Sequence, residues 1–428
     1  MVCEAQQQPF SAGRLMLRES QTAECMTEDN RSSPTVSPKP CKLTRLAFVT
    51  NFCPHYRVKT FEMLAAQYDA DFFFYSDGGE WYWQRKHGTR TGQFRQSHLS
   101  GFTLLGTRIT AALPAKLWGG NYEAFVKCID GRFALAATYL TACLLRRPFI
   151  LWTGVWSAID TPFHRLIFPL IRHIYRNADA IVTYGEHVKR YLLNLGVAEE
   201  KIFVAPHAVD NEQYSQSVPL AEIEALREEL RLAPTDRVVL YLGRLEESKG
   251  LAYLLEAFRS VTAPDAVLVV AGDGGERESL LRMSAESDLQ GRVRFAGYVL
   301  PENTLPYYAT AHAFVLPSVC TRREKEPWGL VVNEAMNQGV PVIASDSVGA
   351  AAGGLVRDGI NGFVVPERDS DALAIAIQKL LDSSELHDAM SRHARRIIAD
   401  WNNEQMVRGF QQAIEYAVHR VDPALTSL

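Results

Sequence analysis

From Lys42 onward, short β-branched or aromatic runs alternate with amphipathic helical stretches, and the alternation runs twice. In the first half the strand candidates are Leu43–Val49, Ala70–Tyr75, Phe149–Trp152, Ala180–Thr183 and Ile202–Val204. In the second they are Val238–Leu242, Ala266–Ala271, Val293–Phe295, Ala313–Leu316, Pro341–Ala344 and Gly362–Val365. Helical patterns such as Ala252–Val261 and Glu276–Ser287 fit between them. Alternation of this kind implies right-handed βαβ units and parallel sheets. The interruption near 211–219 separates the two runs. The expected fold is therefore α/β, with two Rossmann-like domains at 42–215 and 216–400 facing a ligand cleft.

The 428 residues suffice for two cores, and a 22% share of charged residues describes a soluble globular chain. The formal net charge of -4 hides an asymmetry. Residues 42–200 hold 19 Lys and Arg against 12 Asp and Glu, while residues 201–428 hold 22 against 32. One half is thus suited to an anionic surface or substrate. The seven cysteines are scattered and form no CxxC pair, which argues against a disulfide framework or a zinc site and fits a reducing cytoplasm. Residues 1–41 are polar and read as a disordered tail, and no transmembrane segment is visible.

Between the last third's strand candidates runs Glu326-Pro-Trp-Gly-Leu-Val-Val-Asn-Glu334. Glu326 falls on a loop, and a helix opens near Gly329 and Leu330. The free N–H groups of its first turn, at Gly329, Leu330 and Val331, form an anion site suited to a phosphate. Glu334 lies about one turn inside, its side chain leaning back toward the N-terminus. A ligand that uses two carboxylates and several amides together is a sugar carrying a diphosphate. Acidic residues in a first turn are also favoured by the helix dipole alone, so the context matters.

That context is a series of loops at strand ends. Gly243-Arg244 and Lys249-Gly250 follow the strand Val238–Leu242 and place two cations at the cleft lip, a pair suited to a diphosphate. Gly272-Asp-Gly274 permits close backbone approach. Phe295-Ala-Gly297-Tyr298 offers backbone edges to a base. In the first half, Asn51 to Arg57 follows the first strand and brings His55 and Arg57 toward the cleft; Trp152 and Trp156 flank another strand end. His55, His164 and His207 are candidate polar groups there. Asp69-Ala-Asp71 mimics a metal-binding pair but begins a plain strand, and no metal site is expected.

Residues 238 to about 385 resemble the nucleotide-binding half of the family 4 glycosyltransferases, which have the GT-B fold. The resemblance rests on the ordered pieces Gly243-Arg244…Lys249-Gly250, Gly272-Asp-Gly274, Phe295-x-Gly297, Pro317-Ser318, Glu326-x7-Glu334, Gly339-x-Pro341 and Asp358 to Gly362. It implies that Arg244 and Lys249 bind the donor diphosphate, Glu326 the donor sugar and Glu334 the ribose. Catalytic residues would be Glu326, Arg244 and Lys249; donor-binding ones Glu334, Gly329, Leu330, Val331, Gly243, Gly274, Gly297 and Tyr298. The first half is similar more loosely. Ala205-Pro206-His207 to Asp210 resembles the family's domain junction, and 401–428 its closing helix. Trp328 replaces the family's usual phenylalanine. The run Val348 to Gly354 lacks a commonly acidic position, and Thr153 and Gly154 stand where many members carry a histidine.

The implied reaction is metal-independent, retaining transfer from a nucleotide-diphosphate sugar, a UDP-sugar rather than GDP-mannose, to a hydroxyl, with no other cofactor. The rival readings are an epimerase or phosphorylase on the same fold, or a non-catalytic sugar-nucleotide-binding protein. The acceptor side is His55, Arg57, Trp152, Trp156 and His207. Nucleic acid is not an expected partner. Residues 162–176, read as a helix, group Phe163, Leu166, Ile167, Leu170, Ile171 and Ile174 on one side, with Arg165, Arg172 and Arg176 toward another. This basic amphipathic pattern points to peripheral contact with an anionic inner membrane face and a lipid-linked saccharide acceptor.

Overall fold

A computed structural model describes residues 44–76, 90–104, 106–286 and 288–421. The tail expected over residues 1–41 lies outside them. Parallel strands buried on both faces read as continuous apolar runs, and most of the inner strands bear this out. In the first half these are β1 (Arg45–Thr50), β2 (Asp69–Phe74), β3 (Gln96–His98), β6 (Ala124–Cys128), β7 (Phe149–Thr153), β8 (Ala180–Thr183) and β9 (Ile202–Val204), with a two-stranded hairpin of β4 (Phe102–Leu104) and β5 (Thr107–Ile109). They form a seven-stranded parallel sheet ordered β3-β2-β1-β6-β7-β8-β9.

The second sheet holds β10 (Arg237–Leu242), β11 (Ala266–Ala271), β12 (Val293–Gly297), β13 (Ala311–Leu316), β14 (Val342–Ser345) and β15 (Gly362–Val365), ordered β12-β11-β10-β13-β14-β15 and again parallel. Each sheet has a point where strand order reverses, at β1/β6 and at β10/β13, and ligands of open parallel sheets bind beyond the carboxyl ends of such strands. Two Rossmann-like sheets are present, as the alternation implied.

The one central strand the pattern missed is β6. Its sequence Ala-Phe-Val-Lys-Cys carries Lys127, which is 0% exposed, and that charge interrupts the apolar run. The Lys127 ammonium is taken up by the Asp130 carboxylate at 2.8 Å and the Asp130 carbonyl at 2.8 Å, with the Cys128 carbonyl as a third acceptor. An ion this deep is tolerated only because these acceptors replace water.

The last helix, Asn403–Val421, returns to the first sheet, where Met406, Val407, Phe410, Ala413, Ile414 and Ala417 join its core. Phe410 meets Trp152 edge-on at 5.3 Å.

Candidate active site

Two adjoining cavities lie at the sheets' carboxyl ends. The larger, of about 450 Å³, is lined by the loops after β1 and β6 on one side and by Arg244, Lys249, Glu324, Glu326 and Gly329 on the other. The smaller, of about 170 Å³, is lined by Gly243, Gly272, Asp273, Tyr298, Val299, Val331 and Glu334, with His55 and Tyr214 at its side. Arg244 lines both. Gly329 and Leu330 face the larger cavity and Val331 the smaller, so the helix Leu330–Asn337 begins at their junction. Its first amides have no partner inside the helix. A guanidinium and a helix N-terminus thus meet where the two cavities join, a geometry that suits a diphosphate.

Glu326 precedes that helix and is ion-paired with Lys249; Ser318 also donates to its carboxylate at 3.3 Å. Lys249 closes a 3-10 turn, and Gly250 after it takes φ +68°. The carbonyls of the Glu326 segment are held from the first half: Trp156 Nε1 donates to the Glu326 carbonyl at 2.9 Å, and the Asp160 amide to that of Arg322 at 2.8 Å. His187 Nε2 approaches the Pro327 carbonyl at 3.1 Å, and burial pushes its pKa down to about 4, so the neutral ring donates there. Lys325 caps the Trp156 ring with its ammonium 3.9 Å from the centroid. Trp156 therefore steadies Glu326 from behind; it is not among the residues lining either cavity.

The glycine and alanine run over 348–354 has a structural reason. The Gly349 amide donates to the Glu326 carbonyl at 3.1 Å, and a Cβ at Gly349 would lie 2.1 Å from the Pro327 carbonyl. Only glycine allows this approach. Trp328 is buried, stacks on Trp401 at 5.3 Å and donates from Nε1 to Asn333 Oδ1 at 2.8 Å. The larger ring thus gains a polar partner.

Glu334 is 7% exposed, and Tyr308 donates to its Oε2 at 2.7 Å. Burial raises its pKa to about 7, while hydrogen bonds from Tyr308 and Tyr214 work the other way. Neither tyrosine belongs to any local motif around Glu334. Tyr308 precedes it by 26 positions on another helix, and Tyr214 comes from the segment joining the sheets.

The remaining expected residues are distributed as follows. Gly243 and Tyr298 line the smaller cavity, whereas Gly274 and Gly297 line neither; from the Gly274 loop, Gly272 and Asp273 line it instead. His55 lines the smaller cavity, beside Tyr298 and Glu334 rather than on the first-sheet side. Arg57, Trp152 and His207 line the larger one. His164 lies in the first turn of the helix Pro162–Asn177, where its amide donates to the capping Thr161 hydroxyl at 3.3 Å and its Nδ1 lies 2.6 Å from the same oxygen, and it lines neither cavity. Asp130, which sequence reasoning did not single out, lines the larger cavity with its carboxylate held by Lys127. Asp69 and Asp71 lie at the opposite end of β2 from the cleft, ion-paired with Arg45 and Arg95.

With this geometry in view, comparison with known proteins decides the family. Residues 222–397 match the model for glycosyl transferases group 1, and residues 129–213 match that for glycosyltransferase family 4. The chain belongs to the family 4 glycosyltransferases. This family 4 chain is 27% identical over 249 residues to the lipopolysaccharide core biosynthesis glycosyltransferase LpsE of Rhizobium meliloti, covering 58% of the chain and 67% of the relative. It is 35% identical over 179 residues to the alpha-D-kanosaminyltransferase of Streptomyces kanamyceticus, covering 41% and 45%. The matches thus span roughly half to two thirds of these relatives' length. The crystal structure of Anabaena Alr3699/HepE in complex with UDP superposes with a TM-score of 0.70 at 21% identity, covering 87% of this chain and 100% of that one. That likeness establishes the GT-B fold.

Proposed function

We propose that this family 4 member transfers a sugar from a nucleotide-diphosphate sugar to an acceptor hydroxyl, with retention at the anomeric carbon. The observation that carries the reading is the junction of the two cavities, where Arg244, Lys249 and the first amides of the helix Leu330–Asn337 converge beside Glu326. The nucleoside enters the smaller cavity, with its ribose on Glu334. The diphosphate lies at the junction and the sugar reaches Glu326. Negative charge gathers on the departing phosphate in the transition state, and these preorganised donors stabilise it. The positive charge that a divalent cation supplies in other transferases comes from Arg244 and Lys249, so the reaction needs no metal. UDP is the preferred nucleotide in this reading, supported by the UDP and UDP-glucose complexes of the similarly folded Anabaena protein.

The acceptor side is the first-sheet part of the larger cavity, and the acceptor is lipid-linked. What supports this is the helix Pro162–Asn177, on which Leu166 is 78% exposed and Phe163 and Leu170 are exposed too. Ile167 and Ile171 are half-buried, and Ile174 alone of the apolar set is fully buried. Leu140 and Leu144 on the helix Arg132–Leu145 are exposed as well, and that helix packs beside the first, with Tyr139 OH 3.2 Å from His173 Nε2. No helix of the described residues is long and apolar enough to cross a membrane. Two neighbouring helices with exposed leucines and arginines fit the surface of an anionic bilayer. A thermal-shift screen of UDP, GDP, ADP and dTDP sugars tests the donor assignment: UDP compounds should raise the melting temperature most. No stabilisation by any nucleotide would sink it.

A further inference from the structure

We propose that Arg57 is an anion-binding group for the acceptor, so that the first-sheet side of the cleft takes an acceptor bearing a phosphate or carboxylate near its reacting hydroxyl. The inference rests on reading that side of the larger cavity as the acceptor side.

Arg57 is 4% exposed, yet it lines the cavity. Its partners are all neutral. One terminal nitrogen donates to the Tyr184 hydroxyl at 3.2 Å and lies 2.9 Å from His207 Nε2; the other meets Met406 Sδ at 3.2 Å. The Trp152 ring lies 4.3 Å from the guanidinium carbon, and Tyr56 and Tyr184 complete an aromatic surround at 5.4 and 5.6 Å. Among the described residues, no carboxylate lies within ion-pair distance of it.

Buried guanidinium groups are ordinarily paired with an acid, because an uncompensated charge out of water is costly. The three carboxylates lining this cavity are committed elsewhere: Asp130 to Lys127, Glu326 to Lys249, and Glu324 to Ser248 with Arg244 at 3.8 Å. Arg57 is therefore the surplus cation.

A second observation points to the same ligand. Burial, reinforced by Arg57, pushes the His207 pKa well below its usual value, so the imidazole is neutral. With Nε2 accepting from Arg57, the ring proton sits on Nδ1, and that buried atom has no hydrogen-bond partner among the described residues. A forked cation set over the Trp152 ring, beside a cavity-wall histidine whose Nδ1–H is unsatisfied, matches an oxyanion in charge and in donor set.

The test uses the full chain saturated with UDP, so that the donor phosphate positions are filled, and titrates inorganic phosphate and acetate separately by calorimetry and thermal shift. At least one of the two anions should bind beside Arg57, and the one that binds more tightly identifies the acidic group of the acceptor. Arg57→Met should weaken that response about tenfold or more while leaving UDP affinity within about twofold. Arg57→Lys, which keeps the charge without the fork, should give an intermediate value and decides the matter if the methionine variant does not fold. UDP binding with no response to either anion overturns the inference alone. Loss of UDP affinity in step with anion affinity also overturns it, by assigning Arg57 to the donor. Failure of UDP to bind the wild type removes the donor reading and this inference with it.

Discussion

Lys249 and Glu326, 77 residues apart in sequence, form an ion pair in which both side chains are almost fully covered. Each neutralises the other at the place where sugar and diphosphate are proposed to meet. Lys249→Ala is therefore expected to do two things: remove a phosphate donor and leave the Glu326 carboxylate uncompensated. Turnover should fall by about two or more orders of magnitude, the usual cost of losing one preorganised charge stabiliser. Steady-state kinetics with the preferred nucleotide sugar checks it, and a change below tenfold would argue against the role.

Glu326 and Glu334 should separate when each is changed. Glu334→Ala is expected to weaken nucleotide binding, because Glu334 lines the cavity assigned to the nucleoside. Glu326→Ala should lose turnover with nucleotide affinity nearly intact. Calorimetry with UDP on both variants decides it; equal affinity for wild type and the Glu334 variant would remove the ribose assignment.

Nucleotide affinity should depend on pH through Glu334. Burial lifts its pKa to about 7, above the ordinary carboxylate value. Ribose hydroxyls donate to the ionised form, so affinity should fall as pH drops through 7, by about tenfold between pH 8 and pH 6, with proton release on binding. Stability of the free protein runs the opposite way. A raised carboxyl pKa stabilises the fold most below the unfolded value, and that contribution is lost as pH rises through 7. In Glu334→Gln both dependences should flatten. Calorimetry in buffers of different ionisation enthalpy gives the proton count directly.

Activity should survive EDTA. Asp69 and Asp71, the pair that mimics a metal motif, are already neutralised by Arg45 and Arg95 at the far end of β2. Asp71→Asn should leave turnover unchanged. Complete loss of activity on chelation, restored by a divalent cation, would contradict the metal-independent reading.

Anionic vesicles should retain the protein at low salt and release it as salt rises, since each cation near anionic lipid adds about 1 kcal/mol. Arg165→Glu with Arg172→Glu should abolish co-sedimentation. Arg165 is ion-paired with Asp160, so Arg165→Gln is the control that separates lost attraction from local repulsion. No co-sedimentation of the wild type at low salt would favour an acceptor free in solution.

The second half was the more legible because its chemistry is local. Glu326, Gly329 and Glu334 sit within nine positions, and loop, helix start and carboxylates follow from helix geometry alone. The first half distributes its chemistry over distant loops. β6 was missed because Lys127 breaks its apolar run, and with β6 went Asp130, whose role depends on that lysine. Tyr308 was invisible because its contact with Glu334 exists only after two helices pack. Trp156 was placed at the cleft, but its hydrogen bond to the Glu326 carbonyl joins residues 170 positions apart.

The return of the helix Asn403–Val421 to the first sheet means the polypeptide passes between the two halves twice, once after β9 and once after the helix Ser384–Ile398. The first half is therefore not a contiguous fragment, and the second is an uninterrupted segment carried within it. Cutting near residue 215 would strip the first sheet of Met406, Phe410 and Ile414 and expose Trp152 and Phe48 to water, while leaving the second half with an orphaned apolar helix. Expression of isolated halves should therefore give insoluble material unless residues 403–421 are grafted back onto the first. The double strap also confines any opening of the cleft to bending about the two crossings, because two covalent tethers forbid the halves from swivelling freely past one another.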